Sequence, residues 1–137
     1  MSLFNVFDVA GSALNAQSVR LNVTASNMAN AGTVSGTAEG AYRAKHAVFS
    51  TLMNETLGGR ESTGVQILDV VESDAPAVEQ YQPDHPLADE RGYVFLPNVN
   101  GIEELANMIS ASRTYQSNVE VINTSKQMLL RTINLGQ

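Results

Sequence analysis

The residues best suited to chemistry are few. His46 and His85 are the only imidazoles in a chain of 137 residues that contains no cysteine. Around the second, D84-H-P-L-A-D89 sets a carboxylate on each side of an imidazole, a grouping that elsewhere binds a metal or moves a proton. The rest of either site is missing. A metal needs three or four ligands converging on one point, and a general base needs a nucleophile to activate and a partner to orient it. With one His and no second ligand cluster, the segment reads more simply as a solvated acidic turn, with a small hydrolase built on His85 and Asp84 or Asp89 as the alternative. No Gly-x-Ser-x-Gly elbow, phosphate loop or dinucleotide fingerprint occurs. No catalytic residue, no metal site and no cofactor are expected.

The charge balance narrows the partners. A formal net charge of -6 argues against nucleic acid and against direct lipid binding at an anionic surface. No apolar run approaches the length of a membrane span, and MSLFNVFDVAGSALNAQ lacks the basic start and unbroken apolar stretch of a cleaved signal peptide. Charged residues make up only 16% of the chain, against about 25% in ordinary soluble proteins. That scarcity is uneven. Residues 5–30 carry only Asp8 and Arg20, where an average stretch of that length carries about six charges. Between Asp69 and Glu104 stand nine acids and one base, Arg91.

The elements that position these groups follow from periodicity. The pattern predicts an α+β fold: an antiparallel, coiled-coil-like pair of long N- and C-terminal helices with a small β-rich insertion. Residues 1–31 and 99–137 form the terminal helical assembly domain, and residues 32–98 the insertion with flexible loops. The first helix is expected over residues 5–30, capped by Asn5 with Asp8 in the first turn and stopped by Gly32. Leu3, Phe7, Ala10, Leu14, Leu21 and Met28 form its apolar stripe, interrupted by Gln17 and Thr24, with Asp8, Asn15 and Asn22 opposite. The last helix starts at an Asn100 cap with Glu103 three residues on, and Gly136 ends it. At about 100° per residue, Leu105, Met108, Tyr115, Val119, Ile122, Leu129, Leu130 and Ile133 share one broad arc. Asn107, Thr114, Asn118, Ser125 and Thr132 make an uncharged polar strip, and Arg113, Glu120 and Arg131 a charged one. Lys126 falls inside the apolar arc, where it must snorkel or find an acid, expected from another chain. Between the helices, residues 47–52, 64–71, 77–81 and 93–96 read as strands, and residues 33–40 as a flexible loop or hairpin tip.

Helices so poor in ions suit sites covered by protein on most sides, because a buried ion loses hydration without a guaranteed partner, whereas an amide tolerates the move better. A two-helix hairpin cannot cover both stripes and both amide faces by itself. Within one subunit Ala10, Leu14, Leu21 and Met28 are expected against Leu105, Met108, Val119 and Ile122, with the other faces left for neighbours. The strip through Asn107 and Asn118 is expected to face a channel or an amide-rich subunit contact.

The residues also carry a resemblance. S12-A-L-N-A-Q-S-V-R-L-N-V-T-A-S-N-M-A-N-A-G-T33 resembles the N-terminal signature of bacterial flagellar axial proteins, and I109-S-A-S-R-T-Y-Q-S-N-V-E-V-I-N-T-S-K-Q-M-L-L-R-T-I-N-L-G136 resembles their closing helix. V70-V-E-S-D-A-P76, Y81-Q-P-D-H-P-L-A-D89 and G92-Y-V-F-L-P-N-V99 look like the basal-body rod proteins, and among them the proximal rod. The resemblance implies a structural subunit that polymerises through its terminal helices into a hollow, periplasm-spanning drive shaft, transmitting torque and conducting exported proteins. It implies export without a cleaved signal peptide, through the flagellar type III export apparatus. Its partners would be copies of itself, other proximal and distal rod proteins, and the inner-membrane ring and export-gate base. The assembly residues would be Leu14, Gln17, Leu21, Asn22, Asn27, Met28, Asn30 and Thr33 on the first segment. On the last they would be Leu105, Met108, Arg113, Tyr115, Asn118, Val119, Ile122, Lys126, Leu129 and Ile133. Another axial or type III secretion structural protein is the nearest alternative.

Overall fold

The computed structural model describes the backbone of residues 3–56 and 60–135 and the side chains of residues 5–52 and 64–134. The helix α1 spans Leu3–Asn30. Asn5 is therefore an interior residue rather than the cap, because packing along a second helix extends α1 past the local signal. The helix ends without a left-handed glycine: Gly32 has no positive φ. Instead Ala31 N–H bonds to Met28 O at 3.3 Å, and Thr33 reaches Asn30 O with both its N–H (3.0 Å) and its hydroxyl (2.8 Å). These tight turns take up carbonyls that the helix leaves open.

Two antiparallel strands follow, β1 at Lys45–Thr56 and β2 at Arg60–Glu72. Each runs beyond its expected bounds. The hairpin spans about 40 Å at 3.3 Å per residue, nearly the length of α1 at 1.5 Å per residue. The two lie side by side. At one end the Asn27 side chain grips the backbone of Lys45; further along, Ser12 Oγ accepts Val65 N–H at 3.1 Å while donating to Val9 O at 2.8 Å. Gly64 sits against that contact, where an added Cβ would lie 3.1 Å from Ser12 Oγ. The register slips between Val48 and Phe49, leaving Leu68 as the bulged residue, largely exposed.

A second small sheet pairs β3 (Val78–Tyr81) with β4 (Tyr93–Leu96). Ser35 bonds Phe95 in both directions at 2.9 Å, lying on the far side of β4 from β3. The segment 33–40 is thus tied to the sheet rather than forming a hairpin tip: a single bridged residue has no strand pattern of its own to read. Asn98 joins this sheet to the hairpin, accepting from Ala44 N–H at 2.7 Å and donating to Ala75 O at 2.8 Å. The helix α2 then runs from Gly101 to Leu135, and Asn100 caps it by accepting from Ile102 N–H at 3.1 Å. Gly136, the expected stop, lies outside the described residues.

The acidic turn 82–92 is built by the groups that looked chemical. His85 Nδ1 accepts Leu87 N–H at 3.1 Å, and Asp89 Oδ1 accepts Arg91 N–H at 2.9 Å and Tyr93 N–H at 2.8 Å. Gly92 closes the turn at φ 80°, and a Cβ there would stand 2.9 Å from the Tyr81 ring and 3.2 Å from Pro83. Gly92→Ala is expected to lower stability by about 1–3 kcal/mol, through strained backbone and crowding together, read as a shifted urea midpoint.

Candidate assembly surface

Helices α1 and α2 pack antiparallel, and Arg20 Nη2 donating to Asn107 Oδ1 at 3.1 Å sets their register. With equal rise per residue, Leu3 lies level with Thr124, so α2 runs on past the start of α1 by about 16 Å. The contact line of α2 descends through Glu104, Met108, Ala111, Asn118, Ile122 and Ser125, in steps of three and four except for the seven between Ala111 and Asn118. Ala111 is wholly buried, and Glu104 and Ser125 nearly so. Small side chains at such positions let two helix backbones approach closely.

This line falls on the border between the expected apolar arc and the expected polar strip, and the consequence is a correction to both. Leu105 and Val119, expected inside the hairpin, are 49% and 36% exposed, and Tyr115, Leu130 and Ile133 are exposed beside them. The polar strip does not present one face. Asn107 and Asn118 are half-buried at the seam and Ser125 is buried, whereas Thr114 and Thr132 point outward, their hydroxyls bonded to Ser110 O and Met128 O at 2.9 Å. Helical-wheel angles place residues on arcs, but which edge of an arc meets the partner depends on where backbones can come closest. Arg113 and Lys126 are exposed, and among the described residues neither takes part in an ion pair.

On α1, Leu14, Gln17, Leu21 and Met28 are half-buried, and Asn22 faces out with Asp8 and Asn15. Gln17 Oε1 is buried without a hydrogen-bond partner. Asn27 has a different task. It is 0% exposed; its Nδ2 donates to Lys45 O at 2.8 Å, and its Oδ1 accepts from Lys45 N–H at 2.8 Å and from the Tyr42 hydroxyl at 2.9 Å. The amide thereby pairs with Lys45 as a neighbouring strand would. Asn30 Nδ2 donates to Ser26 O at 2.8 Å, so with Thr33 it shapes the helix end. Ser12, Tyr42 and Asn98 complete this frame; Ser12 and Asn98 lie within segments that carry the resemblance, but their roles are not readable along the chain because Val65, Asn27 and Ala44 are distant in sequence.

The side chains buried in this chain are mostly small: Ala10, Ala16, Ala41, Ala44 and Ala111, with Val94 and Asn27 the largest that are fully enclosed among the described residues. The large apolar side chains are half-buried, as Leu14, Leu21 and Ile122 are, or exposed. The accessible surface is 9468 Å² for 14.7 kDa, where a compact monomer of that mass exposes about 6,900 Å². The surplus, about 2,500 Å², is in the range that obligate subunit interfaces cover. A cleft of about 360 Å³ opens where α1, α2 and β1 meet, lined in part by Arg20, Lys45, His46 and Glu104. Among the described residues no group of three or more His, Cys, Asp or Glu converges as metal ligands would.

The chain resembles proteins of known kind along its whole length. Residues 7–35 match the family described as Flagella basal body rod protein, and residues 90–135 match the family Flagellar basal body rod FlgEFG protein C-terminal. Flagellar basal-body rod protein FlgC of Escherichia coli O157:H7 is 53% identical over 137 residues, covering 100% of both chains. The protein of that description from Salmonella typhimurium is 52% identical with the same coverage. Its counterpart from Borreliella burgdorferi is 37% identical over 151 residues, covering 100% of this chain and 99% of the other.

Proposed function

This chain belongs to the flagellar basal-body rod protein FlgC family, and we propose on that premise that the exposed apolar arc of α2 is the surface through which it builds the rod. It is a structural subunit of the proximal rod of the flagellar basal body, not an enzyme. Membership in a rod family implies assembly with other rod components. Copies of this chain, proximal and distal rod neighbours, and the ring and export-gate base beneath them are the partners we assign. Passage through the flagellar type III apparatus is the route we assign, and no helix of the described residues is long and apolar enough to cross a membrane.

The single observation that carries the surface assignment is the surplus of accessible area together with the row of exposed large apolar side chains along α2, from Ile102 and Leu105 to Leu130 and Ile133. At about 25 cal/mol per Å², covering it is strongly favourable, and repetition over many subunits turns modest contacts into a stiff shaft. Complementation tests it. A bacterium deleted for its own FlgC relative should swim again when given this chain, and the chain should copurify with its hook–basal bodies. Basal bodies isolated without the chain would refute the proposal.

A further inference from the structure

Of the asparagines in the chain, only Asn100 is followed by glycine. An asparagine's amide carbon can close a five-membered ring with the next residue's backbone nitrogen, and glycine puts no side chain in the way. Nothing else obstructs this joint. A Cβ built on Gly101 meets no atom within 4 Å; Asn100, Gly101 and Glu103 are exposed, and Ile102 is 83% exposed. Asn100 Oδ1 is occupied as the cap of α2, accepting from Ile102 N–H at 3.1 Å and Glu103 N–H at 3.5 Å. Its Nδ2, the group that would leave, has no hydrogen-bond partner among the described residues. The neighbouring amides are held differently. Asn98 Nδ2 donates to Ala75 O at 2.8 Å, and Asn107, inside α2, accepts from Arg20; Val99 and Met108 follow them in the chain.

We propose that Asn100–Gly101 is a site of spontaneous modification, where the chain's own backbone displaces the side-chain amide and water leaves a carboxylate. The Gly101 nitrogen bonds to Asn100 Cγ and gives up its proton, and Nδ2 departs as ammonia, leaving a cyclic imide. Water then opens the imide at one carbonyl or the other. Breaking the new N–Cγ bond leaves an aspartyl residue; breaking the original peptide bond leaves an isoaspartyl linkage that runs through the side chain. The aspartyl product keeps a capping oxygen and sets negative charge at the positive end of α2. The isoaspartyl product adds a methylene to the backbone between β4 and α2 and removes the cap. Folding slows the reaction without stopping it. Ring closure must turn the Asn100 carbonyl, so it breaks the cap and the bond from Glu104 N–H to Asn100 O at 3.0 Å. Each loss shifts the local equilibrium by roughly fivefold. Little else holds that turn before Glu104, the first buried side chain of α2. The folded chain therefore reacts about thirtyfold more slowly than the unfolded one.

Incubating the full purified chain in mildly alkaline buffer, with and without urea, tests this. Cleavage after Arg91 and Arg113 isolates residues 92–113, which contain Asn98, Asn100 and Asn107. By mass spectrometry this segment should gain one mass unit at Asn100 and separate into two products of equal mass. Gly101→Ala, which has room for its methyl group, should slow the gain severalfold. No gain at Asn100, a gain at Asn98 or Asn107 as fast as at Asn100, or an unchanged rate in Gly101→Ala would overturn the site. Protection by folding of more than about a hundredfold would overturn opening of the cap as the route.

Discussion

Asn27→Ala is expected to lower the stability of the subunit by about 3–5 kcal/mol, the largest loss for any single polar side chain. The substitution removes three hydrogen bonds and leaves the Lys45 N–H and C=O without their partner, while the Tyr42 hydroxyl keeps only Ser26 Oγ at 3.2 Å. Each buried group left unmatched costs about 1–3 kcal/mol, and Asn27 is 0% exposed, between part-buried partners. Asn27→Asp should be comparably damaging. A carboxylate accepts from Lys45 N–H but cannot donate to Lys45 O, and it sets an ion against that carbonyl in a buried site. Asn30→Ala, which loses one bond to Ser26 O near the helix end, should cost only about 0.5–1.5 kcal/mol. Urea titration of the three variants checks the ranking. A loss below about 1 kcal/mol for Asn27→Ala would mean that the hairpin does not depend on this clamp.

The second expectation separates folding from assembly. The double variant Leu105→Asp with Val119→Asp should abolish swimming while changing the stability of the free subunit by no more than about 1 kcal/mol. Both side chains are already exposed in the single chain, so what the subunit itself loses is chiefly helix propensity, about 0.5 kcal/mol for each Asp. In an assembled shaft each covered Leu or Val contributes roughly 1.5–3 kcal/mol, and a covered carboxylate adds a desolvation cost. Ile122→Asp makes the contrast. Ile122 is half-buried on the α1–α2 seam, so that variant should lose stability and motility together. Soft-agar swimming and thermal melts of the purified subunits read both effects. A motile Leu105→Asp/Val119→Asp strain would show that this face meets no neighbour.

The parts of the fold that were legible in sequence are those with strong local signals. Asn100 stands before an apolar-periodic run with two acids in its first turn, and α2 begins just after it. Val78–Tyr81 and Tyr93–Leu96 lie within a residue of where β-branched and aromatic residues cluster between turn formers. D84-H-P-L-A-D89 reads as a turn and is one, its imidazole and carboxylate occupied by backbone N–H groups. The weaker reading fails where a non-local contact overrides the local cue. Asn5 has the type and position of a cap, but α1 continues through it. Gly32 has the type of a stop, but hydroxyl and backbone bonds at Thr33 end the helix instead.

Composition and periodicity alone determined that this chain is two long, ion-poor helices around an acidic β insertion, unable to cover its own apolar surface. Helical period, strand alternation and charge count are summed over many residues, so no single distant contact can reverse them. Only the tertiary structure decided which edge of α2 meets α1, because that depends on where Ala111 and Ser125 let the backbones approach. It also gave Asn27 to Lys45 rather than to a neighbouring subunit, and left α2 projecting beyond α1 with its cations free of ion pairs among the described residues. A side chain's partner is set by the geometry of two segments at once, and one segment read along the chain carries only half of that information.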